Sequence, residues 1–176
     1  MSRYVLNQTA IKYLSLFESV TNSKVKDCFI EQDNQIVSES FLPNQFSQSQ
    51  QDNQSNQQSV SERVVFVIEE AQAGKAIGKH GRNIKLVENM IKKRVKVIEF
   101  NPEISQFIRN ALYPVQVNEI KLDGKMVFIV EPDRNNKRVL LGRDSRNIKF
   151  LAELVKRYFD IDGIKVINEI VDKKVV

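Results

Sequence analysis

With 176 residues, 41% of them hydrophobic, the chain holds enough apolar material for one ordinary domain or two small ones, which excludes a wholly disordered protein. A single cysteine, Cys28, and a single histidine, His80, exclude disulfides, Cys/His zinc sites and every Cys–His or Ser–His–Asp arrangement that does not use His80 itself. The net charge is only +5 but uneven: residues 1–62 carry 4 basic and 7 acidic side chains, 63–100 carry 9 and 4, and 101–176 carry 14 and 11, so a polyanionic partner fits the later segments.

The first residues, MSRYVLNQTAIKYL, lack the basic start and continuous apolar stretch of a signal peptide. No apolar run approaches the roughly 18 residues needed to span a bilayer, so a soluble cytoplasmic protein is expected. Ile11, Leu14, Leu16, Phe17 and Val20 fall at helical spacing and predict a helix over Asn7 to Val20. Lys24 to Val37 reads as a strand, with Cys28 as a small packed apolar residue. Between Ser38 and Glu62, 17 of 25 residues are Gln, Ser or Asn, and such a tract buries too little apolar area to offset chain entropy. It is expected to be a disordered insertion in a hairpin loop.

RVVFVIEE, Arg63 to Glu70, is a β-branched and aromatic run with the character of a buried strand. The phrase IGKHGRNIK, Ile77 to Lys85, then opens onto a helix marked by Ile84, Val87 and Ile91, and VKVIEF, Val95 to Phe100, closes the unit as a strand. The same grammar recurs further on. Pro102 stands where a first helical turn tolerates proline, ahead of Ile104, Phe107, Ile108, Ala111 and Leu112, and Pro114 ends that helix. VQVNEIKL reads as a strand, Asp123-Gly124 as a hairpin turn, and KMVFIVEP, Lys125 to Pro132, as the returning strand. LGRDSRNIK, Leu141 to Lys149, repeats the phrase with five identical letters in nine, and Ile148, Leu151 and Val155 repeat the helix face. IKVINEIV, Ile164 to Val171, is the last strand.

Both halves thus read helix, strand, strand, helix, helix, strand. The first two strands of each should form an antiparallel hairpin, and the last should return parallel through a right-handed helical crossover. The expected fold is α+β, with two units at 1–100 and 101–176, each a three-stranded mixed sheet covered on one face by helices.

A Gly-Lys-His-Gly turn opening onto a helix suits an anion, because glycine permits left-handed backbone and the helix start presents free amides at its positive end. It is not a Walker loop: Gly74 to Gly78 encloses only three residues, and Lys79 is followed by His80. The dinucleotide glycine pattern is absent as well. Residues 73–96 carry net +7 and residues 134–157 net +6, which favours a longer polyanion. Lys79, Arg82 and Lys85 recur in register as Arg143, Arg146 and Lys149, more than solubility alone explains. Runs such as Lys92 to Arg94 read equally well as a solvated helix face.

Gly78-Lys79-His80-Gly81, set between short helices and bounded by strands, resembles the GXXG loop of a type II KH domain. The tandem pair, with FESVTNSKVKDC, EFNPEISQFIRNALYP and RNIKFLAELVKRYFDIDGIKVI, is similar to the short archaeal form of the transcription factor NusA over nearly the whole chain except 38–62. The resemblance implies two tandem type II KH domains that bind single-stranded RNA and act in transcription elongation, pausing, termination or antitermination. It implies no catalysis, no cofactor and no metal. RNA polymerase is a second candidate partner, and oligomeric state is open.

The implied RNA-binding residues are Ile77, Gly78, Lys79, His80, Gly81, Arg82, Asn83, Ile84 and Lys85 in the first copy. In the second they are Leu141, Gly142, Arg143, Asp144, Ser145, Arg146, Asn147, Ile148 and Lys149. Ile77, Ile84 and Val67, with Leu141, Ile148 and Ile129, are candidates for apolar grooves that receive bases; plain core is the competing reading for each. Ser145, where the first copy has Gly81, raises two alternatives: a strained left-handed residue that weakens the second clamp, or a cap for the following helix. Two rival functions stand beside this one, a ribosome-assembly or translation protein and a polymerase-interaction module with vestigial loops.

Overall fold

A computed structural model describes residues 8–33 and 61–168. It divides into two compact units between Asn101 and Pro102. The first contains α1 (Gln8–Thr21), β1 (Val25–Asp33), β2 (Ser61–Ile68), α2 (Ala73–Ile77), α3 (Arg82–Ile91) and β3 (Arg94–Glu99). The second contains α4 (Ile104–Leu112), β4 (Glu119–Asp123), β5 (Met126–Val130), α5 (Arg134–Leu141), α6 (Arg146–Lys156) and β6 (Gly163–Ile167). The helix, strand, strand, helix, helix, strand order is present in both. The stretch expected as a disordered insertion lies almost wholly outside the described residues; only Ser61 and Glu62 fall within them, at the start of β2.

In each unit the second strand is central: β2 pairs antiparallel with β1 and parallel with β3, and β5 does the same with β4 and β6. Alternation along β2 sends Val64, Phe66 and Ile68 to one face, where they join Cys28 from β1, Ala10 and Phe17 from α1, Ala76 from α2, and Val87 and Ile91 from α3. Phe17 stacks on Phe66 with ring centroids 4.2 Å apart, tying the first helix to the central strand. Burying one such side chain contributes about 2 kcal/mol. Cys28 is part of this core, and burial, aided by the Asp27 carboxylate, pushes its thiol up to about 12.

Local chemistry ends α1 and α3 in the same way. Asn22 and Lys92 adopt left-handed φ of 52° and 56°, and their amides donate to Glu18 O and Glu88 O at 2.9 and 2.8 Å. The side chains of those same glutamates then accept from an amide at the start of the next strand: Val25 N to Glu18 Oε1 at 2.8 Å, Val95 N to Glu88 Oε1 at 2.9 Å. One carboxylate in each place therefore fixes a helix-to-strand corner.

Three local expectations need correction. Pro102 lies outside α4: Glu103 is the N-cap, accepting from Ser105 N at 2.9 Å and Gln106 N at 2.6 Å, and these bonds hold its carboxyl below the usual range. The strand read in VQVNEIKL begins only at Glu119, because Val115 N and the Val117 carbonyl are engaged with Leu112 O and with Arg109 Nη1. The hairpin loop is Gly124-Lys125 rather than Asp123-Gly124, since Asp123 pairs with Met126 in the ladder; Gly124 takes φ 56° at the first central position, as a glycine-first two-residue turn requires.

Candidate nucleic-acid interface

The doubled phrase folds as one conformation twice. Helix α2 ends where the Gly78 amide donates to Gly74 O at 3.0 Å, and α5 ends where the Gly142 amide donates to Arg138 O at 2.9 Å. Gly78 then takes φ 70°, ψ 171° and Gly142 φ 68°, ψ 178°, a region open only to glycine. At the third position, His80 has φ 54°, ψ 30° and Asp144 φ 52°, ψ 30°. At the fourth, Gly81 has φ 72°, ψ 17° and Ser145 φ 59°, ψ 26°. A tight turn closes each loop, with Gly81 N to Gly78 O at 3.1 Å and Ser145 N to Gly142 O at 3.3 Å.

Ser145 is thereby placed between its two alternatives. It stands at the N-cap position of α6 with a left-handed φ, and its hydroxyl makes no cap hydrogen bond. Its backbone is the left-handed one of the first alternative, and the hydrogen bond of the capping alternative is absent. A Cβ at Gly81 would meet nothing within 4 Å, so a serine at this position has room and meets only the backbone penalty.

The loops run straight into the first turns of α3 and α6, whose leading amides have no carbonyl partner within the helix. The positive end of each helix dipole lies there too. Around the first loop, Lys79, His80, Arg82 and Lys85 are exposed; around the second, Arg143, Asp144 and Lys149 are exposed and Arg146 is half-buried. The turn and the helix start are thus rimmed by cations in both units, with one carboxylate, Asp144, intruding on the second.

The apolar candidates separate clearly. Ile77 is 44% exposed at the end of α2, and its counterpart Leu141 is half-buried. Ile84 packs against the core of the first unit, Ile148 is buried, and Ile129 is fully buried. Val67 alternates to the sheet face opposite Phe66 and Ile68, so it lines no groove with Ile77 and Ile84. Of these six candidates, Ile77, with a smaller contribution from Leu141, offers apolar surface beside a loop.

Asn83 and Asn147 are in the predicted set, yet each spends an amide hydrogen inside the protein. Asn83 Nδ2 donates to Lys75 O at 2.7 Å, and Asn147 Nδ2 to Val139 O at 2.8 Å. The signal available in the sequence was the constant five-residue step from the first glycine of each loop to an asparagine. Among the described residues, no group of three or more His, Cys, Asp or Glu side chains could hold a metal ion, and no helix is long and apolar enough to cross a membrane.

Comparison with known proteins returns matches along most of the chain. Residues 104–169 match the NusA-like second KH domain family, and residues 42–105 match the KH domain family. "Probable transcription termination protein NusA" of Halococcus morrhuae is 28% identical over 93% of this chain and 99% of its own length. The protein of the same name in Methanocaldococcus jannaschii is 27% identical over 96% of this chain and 78% of its own length. The solved structure titled "Crystal structure of APE1850" shares the fold, with a TM-score of 0.58 and 21% identity over 90% of this chain and 97% of that one.

Proposed function

We propose that this chain, a tandem KH protein of the archaeal NusA type, binds single-stranded RNA through its two loops and acts as a transcription factor in elongation, pausing and termination or antitermination. The observation that carries the reading is the repeated backbone: two turns with matching dihedrals, each opening onto a helix start and rimmed by cationic side chains.

A phosphodiester suits that spot. Its negative charge meets the positive helix end and the cationic side chains around it. Lys79 and Arg82 in the first unit, and Arg143 and Arg146 in the second, lie close in sequence to that turn and add Coulombic attraction. Ile77 supplies the apolar surface for an adjacent base. Binding rather than catalysis is the proposed activity. The transcriptional role draws on the names of the relatives, and RNA polymerase is the proposed protein partner. Two sites on one chain raise affinity by effective concentration when a single strand reaches both.

The test is the double variant Lys79→Asp with His80→Asp. Aspartate already occupies the left-handed third position in the second loop, so the change at His80 adds charge without new backbone strain. Affinity for a short mixed-sequence single-stranded RNA should fall at least about tenfold, ~1.4 kcal/mol, with the thermal midpoint unchanged. Binding should also weaken with added salt, by about 0.7 in log–log slope for each phosphate engaged. Unaltered affinity in the double variant would sink the reading. For the polymerase contact, retention on polymerase after nuclease treatment supports direct association, and loss of retention argues against it.

A further inference from the structure

We propose that Asn83 and Asn147 are positioning residues, each latching the helix before its loop to the helix after it and so fixing the conformation in which the loop meets its ligand. This rests on the reading of the loops as phosphate clamps. The latch occurs twice, on the asparagine that both copies of the phrase carry five residues after the first loop glycine. In α2 the last intrahelical bond ends on Gly74 O, and the next carbonyl, Lys75 O, takes the Asn83 amide; in α5 the last bond ends on Arg138 O, and the next carbonyl, Val139 O, takes the Asn147 amide. Each asparagine thus satisfies the first orphan carbonyl in the last turn of its helix.

The same side chains fill the space left by the leading glycines. A Cβ built on Gly78 would lie 2.7 Å from Asn83 Cγ, and one on Gly142 would lie 2.6 Å from Asn147 Cγ. Glycine and asparagine therefore act as a matched pair: the missing Cβ lets the amide cross the turn, and the amide locks the turn from behind. Helix α2 has only five residues, too few to hold itself by its own hydrogen bonds, so an external tie matters most there. The chemistry narrows the choice of residue. Aspartate has the same shape and no donor, and it would set a carboxylate oxygen against a carbonyl oxygen; glutamine is longer by one methylene.

The experiment uses the full chain, with a short mixed-sequence single-stranded RNA as probe. Asn83→Ala and Asn83→Asp should each weaken binding roughly tenfold. In the RNA-free protein, hydrogen exchange of the Gly81 and Arg82 amides, which donate to Gly78 O and Lys79 O, should accelerate in both variants. Asn147→Ala should do the same to the Ser145 and Arg146 amides, which donate to Gly142 O and Arg143 O, an independent copy of the test. Lost affinity with unchanged exchange in the free protein would mean that the asparagine contacts RNA directly, which overturns the proposal. A lowered thermal midpoint with unchanged affinity would overturn it too, leaving the bond purely structural. The Lys79→Asp, His80→Asp double variant run alongside separates the two readings: if it binds RNA normally the clamp reading falls, while the exchange rates of the free protein still decide the latch.

Discussion

His80 and Asp144 occupy the same backbone state, φ 54° and 52° with ψ 30° in both, at the exposed third position of their loops. The scaffold is therefore held constant while the side-chain charge changes. A carboxylate accepts hydrogen bonds and cannot donate them, so at a phosphate site it contributes repulsion alone. Asp144→His should strengthen binding of single-stranded RNA about fivefold, ~1 kcal/mol, the size of one screened charge at short range. Asp144→Asn should recover most of that gain, because removing the charge is the main effect. Titrations at rising salt should show the gain shrinking. Equal affinity of all three proteins at low salt would show that the second loop does not meet phosphate.

Ser145 gives a prediction about stability rather than affinity. Its φ of 59° carries a left-handed penalty, and no cap bond compensates for it. Ser145→Gly should raise unfolding free energy by up to about 1 kcal/mol, and the reciprocal Gly81→Ser should lower it by a similar amount. Urea denaturation of the two variants reads both. A loss of stability in Ser145→Gly, a few tenths of a kcal/mol being the usual effect of replacing a serine cap with glycine, would contradict the geometry.

Periodicity carried most of the fold, for reasons visible in particular residues. Phe17, Phe66, Val87 and Leu151 are large, apolar and buried, so their spacing reports the element that holds them. The loop glycines were legible for the same kind of reason, since Gly78 and Gly142 occupy dihedrals that no other residue tolerates. What the sequence hid were choices made by single hydrogen bonds. Nothing in the spacing distinguishes an asparagine that reaches RNA from one that reaches Lys75 O. Likewise, nothing in VQVNEIKL reveals that Arg109 claims the Val117 carbonyl and delays the strand. Val67 shows a third limit: its apolar character marked it as buried, and only the register told which face.

The Gly78–Asn83 pair predicts a measurable coupling. Gly78→Ala alone meets two costs, a φ of 70° and a Cβ 2.7 Å from Asn83 Cγ. Asn83→Ala removes the second cost and leaves the first. The double variant should therefore be less destabilised than the sum of the single variants, with an interaction energy of about 1 kcal/mol. Additive losses in a double-mutant cycle of unfolding free energies would show that the side chain simply swings away and does not pack on the glycine.

Lys96, on β3 opposite Val65, carries a pH-dependent cost. Burial pushes its ammonium down to about 8 from an ordinary 10.5, the Arg63 charge adds to the shift, and Glu31 opposes it. A lysine whose folded pKa lies below its unfolded one destabilises the fold wherever it is charged in both states. Between those values the unfolded chain binds more protons than the native one, so stability rises with pH from about 8 to 10.5. Below about 8 the full cost applies, on the order of 1 kcal/mol for a side chain that keeps some contact with water. Lys96→Met keeps the aliphatic stem and removes the charge. It should be more stable than the parent near neutral pH, and its advantage should shrink through that window as the parent lysine loses its proton. Urea midpoints measured for both proteins across the range test this. Parallel curves, or a variant less stable at neutral pH, would mean that the Glu31 carboxylate compensates Lys96 in full and that its burial carries no net penalty.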